Sequence, residues 1–241
     1  MKSRQSGQAA VEAALTLPLT VFLVLGALQL FMLMQARIMA QYAAGRAAHM
    51  GAVNSANCFA MVKSAIAIVM PAIDSSWARG GNNNGGAYAT AVLNHLNNRY
   101  RGAADGNRTG PIIWIDRVRP LRGSVNAATE EEIWDLPAPQ GPDRTLEIRM
   151  TFWAPLKIPF ANWVFARMAL ASWGLDAYHG VDPLMPAKKD ANWVAESPPP
   201  SSVAGELLAR YNAQEYVFPV VVTYATHMMS PPRFGSNQNC Q

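Results

Sequence analysis

Charged side chains are absent from Ala13 to Met34, and Thr16, Thr20 and Gln29 are the only polar residues in that stretch. As a helix rising about 1.5 Å per residue, a run of 22 residues crosses the roughly 30 Å hydrocarbon core of a bilayer. The pattern therefore predicts a transmembrane helix over about 13–34. Ala36 to Met50 continues it, because Ala43, Ala44, Ala47 and Ala48 have high helix propensity, while Arg37 and Arg46 mark the exit into water. Small residues also permit close helix approach, so this surface is read either as a face for neighbouring subunits or as a plain feature of a good helix.

Beyond that helix the periods change. Phe59 to Ile73 is an apolar helical run interrupted at Pro71, and Trp77 to Gly86, with Gly-Gly-Asn-Asn-Asn-Gly-Gly at its centre, reads as a flexible loop. Tyr88, Val92, Leu96 and Tyr100 form a stripe of four-residue spacing, the mark of an amphipathic helix packing on a core. Pro111 to Val118 reads as a strand. Thr145 to Trp153 alternates Leu146, Ile148, Met150 and Phe152 with Glu147, Arg149 and Thr151, which predicts an antiparallel strand with one buried and one wet face. Asn162 to Ser172 is a short helix, apolar nearly all round through Trp163, Phe165, Met168 and Leu170. Val181 to Ser202 reads as a proline-rich surface linker and Glu206 to Gln214 as a short helix. Tyr216 to Tyr224 is a strand that Pro219 assigns to an edge or a bulge. Two or three strands against a long helix make an α+β fold: a long N-terminal transmembrane helix followed by a small head with a few antiparallel strands and short helices.

Composition and charge restrict the partners. The net charge of +4 is spread thinly; Arg117, Arg119 and Arg122 are its densest group, and no basic stripe with interleaved aromatics is present, so nucleic acid is not an expected partner. Lys2 and Arg4 ahead of the span place the N-terminus in the cytoplasm by the positive-inside rule, which puts nearly everything after Arg37 outside. In an oxidising compartment the two cysteines, Cys58 and Cys240, can pair, and a disulfide is the favoured reading over two free thiols.

Glu12 stands at the mouth of the apolar run, where an uncompensated carboxylate costs free energy. Lys2 and Arg4 are the cations within reach by sequence. Cutting the chain after Gly7 would create another, the α-ammonium of Gln8.

Here the residues carry a resemblance. A short basic leader, Gly7 before the cleaved bond, Glu12 at the fifth position after it and a retained apolar helix resemble type IV prepilins and pseudopilins. The stretch Gly7-Gln-Ala-Ala-Val-Glu-Ala-Ala-Leu-Thr-Leu-Pro-Leu, with Gly26-Ala-Leu-Gln-Leu-Phe after it, is more narrowly similar to TadE-like proteins of tight-adherence (Flp, type IVc) pilus systems. That family usually has an aromatic residue where Ala13 stands and often a second Glu where Gln29 stands.

The resemblance implies a leader over 1–7 removed by a prepilin peptidase, a long helix over 8–57 kinked at Pro18, and an exported head over 58–241. It implies a minor pilin or pseudopilin that joins other pilin subunits and the inner-membrane assembly platform, with Glu12 matched to the Gln8 amine in pilus assembly and cell adhesion. The length, well beyond that of the major pilins, points to a minor or initiating component.

Catalytic chemistry finds no anchor in the sequence. His49, His95, His179 and His227 lack metal-ligand spacing to Cys, Asp or Glu, and neither a Gly-x-Ser-x-Gly motif nor a phosphate loop occurs. Neither a cofactor nor a metal is expected. Asp74-Ser-Ser lacks the further Ser that a metal-ion adhesion motif needs, since Ala78 occupies that position, and Glu130 to Glu132 reads as a solvated run. Two other classes compete with the pilin reading. One is a signal-anchored periplasmic scaffold or binding protein outside any filament, and the other is a secreted enzyme that loses the helix.

Overall fold

A computed structural model describes residues 6–73, 84–99, 110–120, 144–172, 201–232 and 239–240. The architecture is α+β. Helix α1 (Ser6–Val53) is followed by α2 (Cys58–Ile73), α3 (Asn84–His95), strands β1 (Ile113–Arg119) and β2 (Thr145–Pro155), helices α4 (Ala161–Ser172) and α5 (Ser201–Asn212), and strands β3 (Val217–His227) and β4 (Asn239–Cys240). Two compact units result: Met1–Met34 with Pro155–Phe218, and Gln35–Ala154 with Pro219–Gln241.

In the second unit the sheet runs in the order β3-β2-β1-β4. β1 pairs antiparallel with β2 from Ile113 opposite Phe152 to Arg119 opposite Glu147, with an irregularity between Arg117 and Arg119. On its other side it pairs with the two residues of β4, Ile115 opposite Cys240 and Asp116 opposite Asn239. β3 is an edge strand, which accommodates Pro219 as its sequence predicts.

β2 keeps the expected alternation only as far as Met150. From Thr151 to Ala154 every residue is buried, because a central strand here has both faces covered; Trp153 meets the edge of Trp114 at 5.6 Å between ring centroids. The half-exposed reading of this strand therefore holds for its first half alone.

The alanine face of α1 is sealed by the protein itself. Ala36, Ala40, Ala43, Ala44, Ala47, Ala48 and Ala52 are all buried within the chain, so these small residues bring the helix close to its own sheet and to α2 and are not a free face for neighbouring subunits. The approach is tightest at Gly51, where a Cβ would lie 2.6 Å from Met61 Sδ and 2.8 Å from Leu146 Cδ2.

The turn from α1 to α2 is fastened from several directions. Asn57 Oδ1 accepts from the amides of Phe59 (2.9 Å) and Ala60 (3.4 Å), an N-cap for α2. Ser230 Oγ donates to Ala52 O (3.0 Å), and the buried Arg117 Nη1 donates to Ala56 O (3.0 Å). The guanidinium thereby satisfies a carbonyl of the turn that neither helix uses. Burial in turn lowers the Arg117 pKa from its ordinary value.

Two expectations about α2 and α3 are corrected. Pro71 does not interrupt α2, which continues to Ile73. Proline withdraws the amide that would bond to the carbonyl of Ala67 one turn back, and the Tyr88 hydroxyl donates to that carbonyl instead. Gly85 and Gly86 belong to α3 and not to a loop; the Tyr88 contact and the packing of α3 on α2 outweigh their low helix propensity. On α3 the covered face comprises Tyr88, Ala91, Val92 and His95. Tyr100, Asp74, Arg122, the Glu130 to Glu132 run, His179 and the 181–200 proline segment lie outside the described residues.

Candidate functional site

α1 is continuous from Ser6 to Val53 and carries Pro18 inside it. Gly7 and Gln8 lie in its first turns, and Glu12 is exposed one turn after Gln8. Residues four apart on a helix share a face with roughly 5–6 Å between their Cβ atoms. Gln8 and Glu12, four residues apart, therefore share one face of the helix. Among the described residues Glu12 makes no ion pair.

From Val11 to Val24 every side chain is exposed, and the large apolar ones stand well out: Leu15 at 73%, Leu19 at 66% and Leu23 at 67%. The helix is long and apolar enough over Val11–Val53 to cross a membrane. Two of its polar interruptions are satisfied internally. Thr16 Oγ1 donates to Glu12 O and Thr20 Oγ1 to Leu17 O, each at 2.9 Å, which removes most of the cost of a hydroxyl in hydrocarbon.

Gln29, the third interruption, is fully buried. Its Oε1 accepts from the Ile158 amide at 3.1 Å, whereas its Nε2 has no hydrogen-bond partner among the described residues. The sequence marks Gln29 only as a polar residue in a span; the fold turns it into the anchor of the 155–160 turn. Nothing local in either segment announces that pairing.

Cys58 and Cys240 are joined in a disulfide, with Cα atoms 5.2 Å apart and a sequence separation of 182. The bond ties the start of α2 to the two-residue β4. His49 and His227 are exposed, while His95 is buried with Nδ1 2.8 Å from Ala91 O, a contact inside its own helix. Among the described residues no group of three or more His, Cys, Asp or Glu is placed to hold a metal ion. Of the basic group, Arg117 is buried as described and Arg119 lies 3.5 Å from Glu147 at the surface.

The features together define a class: an α+β protein with an N-terminal apolar helix suited to membrane anchoring and a disulfide-tied sheet domain. Among families of known proteins, the TadE-like protein family matches over residues 7–49, beginning at Gly7 and including Glu12, Pro18 and Gln29. The resemblance read from the N-terminal residues is thus that of a protein associated with Tad pili. No curated protein and no solved structure matches the chain.

Proposed function

We propose that this protein is a minor pseudopilin of a tight-adherence pilus, non-enzymatic, cut after Gly7 by a prepilin peptidase and held in the inner membrane with its sheet domain in the periplasm until assembly. The observation that carries the reading is the family match over 7–49 on a helix whose Val11–Val24 surface is wholly uncovered by the chain itself. Such a surface needs lipid first and other subunits later.

Glu12 supplies the assembly chemistry. In a low-dielectric layer an unpaired carboxylate is costly and an opposite charge a few ångströms away offsets much of that cost. The Gln8 ammonium released by cleavage, from the same chain or a neighbour, sets the axial register at which subunits stack. The expected partners are the peptidase, other pilin and pseudopilin subunits and the assembly platform.

N-terminal sequencing of the protein from piliated cells checks the first step, with Gln8 as the expected first residue. Glu12→Ala should leave membrane insertion intact and abolish recovery of the protein with sheared pili. A protein that keeps Met1 in cells containing the peptidase, or normal piliation with Glu12→Ala, would establish a signal-anchored scaffold instead.

A further inference from the structure

The unit formed by the first part of α1 and residues 155–218 places head residues beside the membrane-spanning stretch. Leu25, Gly26, Gln29, Met32 and Leu33 form one covered stripe on α1, while everything from Val11 to Val24 is exposed. The Ile158 amide bonds to Gln29 Oε1 at 3.1 Å, which fixes the 155–160 turn at the level of Gln29. Gln29 precedes Met34, the outer end of the apolar run, by five residues, or about 7–8 Å along a helix axis. A turn held at that depth lies below the headgroup plane of the outer leaflet.

Its side chains suit that position. Phe160 is 76% exposed and sits at φ 65, a left-handed conformation that bulky residues rarely adopt. Packing among the described residues does not explain this residue. Ala161, Ala166, Ala169 and Leu170 are buried on the inner side of α4, whereas Trp163 (46%) and Met168 (56%) are exposed on its outer face.

Arg167 lies on that outer face with its guanidinium 5.1 Å from the Trp163 ring centroid and its Nε donating to the Tyr211 hydroxyl at 3.0 Å. Lys157 is exposed in the turn itself. Aromatic rings with basic side chains beside them are the composition of a membrane–water interface, where rings settle at headgroup level and cations reach the phosphates.

We infer that Phe160 and the outer face of α4 form a second membrane contact, resting in the outer leaflet of an anionic bilayer beside the protein's own span. The inference rests on the proposed membrane-spanning role of α1. It gives this unit a fixed orientation on the membrane surface, and its α4 face must leave the lipid when the helix is drawn into a filament.

The test uses the full-length protein with its native disulfide, reconstituted into phosphatidylcholine–phosphatidylglycerol vesicles. A single nitroxide is placed by Trp163→Cys or Met168→Cys, with Leu19→Cys as the label within the span and Thr90→Cys as the label on exposed α3. Power saturation compares collisions with oxygen, which concentrates in lipid, against a water-soluble nickel chelate. Labels at 163 and 168 should lose most of the nickel accessibility seen at 90 and show oxygen-dominated collisions, though shallower than at 19. If the label at 19 is buried in lipid while those at 163 and 168 match 90, the second contact is refuted and the span stands. Labels at 163 and 168 shielded from both reagents and broadened by a neighbouring spin would refute lipid in favour of a second copy. A label at 19 open to nickel would refute the span and this contact together.

Discussion

Tyr88→Phe removes a single oxygen, and its cost should depend on a proline in another helix. Pro71 has no amide, so the Ala67 carbonyl one turn earlier lacks its usual helical partner, and the Tyr88 hydroxyl serves in its place. Without the hydroxyl, a half-buried carbonyl is left to whatever water can reach it, at a cost of about 1–2 kcal/mol. Burial raises the Tyr88 pKa, as expected for a hydroxyl serving as a neutral donor. In a Pro71→Ala background the helix recovers its own amide donor, and Tyr88→Phe should then cost under about 0.5 kcal/mol.

Guanidinium denaturation of the four proteins in mild detergent, followed by far-ultraviolet circular dichroism, gives the coupling energy, expected near 1 kcal/mol. Equal costs of Tyr88→Phe in both backgrounds, within about 0.3 kcal/mol, would show that the hydroxyl does not replace the missing amide.

Reducing the Cys58–Cys240 bond, or replacing both residues by Ala, releases a constraint across 182 residues of sequence and should destabilise the fold by up to about 5 kcal/mol in the chain-entropy treatment. Amide exchange should also show β4 leaving β1, since two ladder pairs return less than the cost of ordering the strand. Gly51→Ala should lower stability by about 1–3 kcal/mol through the clash with Met61 and Leu146, whereas Gly26→Ala, whose Cβ would meet nothing within 4 Å, should be neutral or stabilising in thermal melts. Burial raises the Asp116 carboxyl pKa, and Arg149 offsets the rise only in part. A raised folded-state value means that the unfolded chain releases the proton first, so stability falls as pH climbs from about 3.9 through the folded value. Asp116→Asn should therefore melt higher than the parent at pH 7, and the advantage should vanish below about pH 3.9.

The long helix was legible because composition alone specifies it: an uncharged run of that length has few other structures open to it. The first half of β2 was legible for a similar reason, since alternation at Leu146, Ile148 and Met150 is a local property. The second half was not, because burial of Thr151 depends on the strand being central, and strand order is not written in β2. The alanines of α1 illustrate the same limit. In the sequence they fit a face for neighbouring subunits or simply a good helix, and only the fold shows that the chain's own sheet and α2 cover them. Pro71 and the Gly85–Gly86 pair were read by propensity, and one hydroxyl on Tyr88 supplies the long-range contact that overrules it. Gln29 was visible as an oddity in an apolar run, yet its partner is a backbone amide 129 residues away.

Burial along α1 is divided unevenly, and the division bears on function. After Gln35 the helix is sealed on its alanine face, whereas from Val11 to Val24 it is sealed nowhere. Water is excluded as the permanent surroundings of such a surface, because contiguous exposed apolar area of this extent drives association. Lipid and neighbouring helices both satisfy the apolar side chains, so exposure alone does not separate an anchor from a pilin. Glu12 does. Lipid offers a carboxylate nothing, and its neutralisation would ease insertion, while a packed bundle of helices with an ammonium one turn away gains from the charge. Loss of assembly by Glu12→Ala with membrane insertion kept or eased is the outcome that only the filament accounts for.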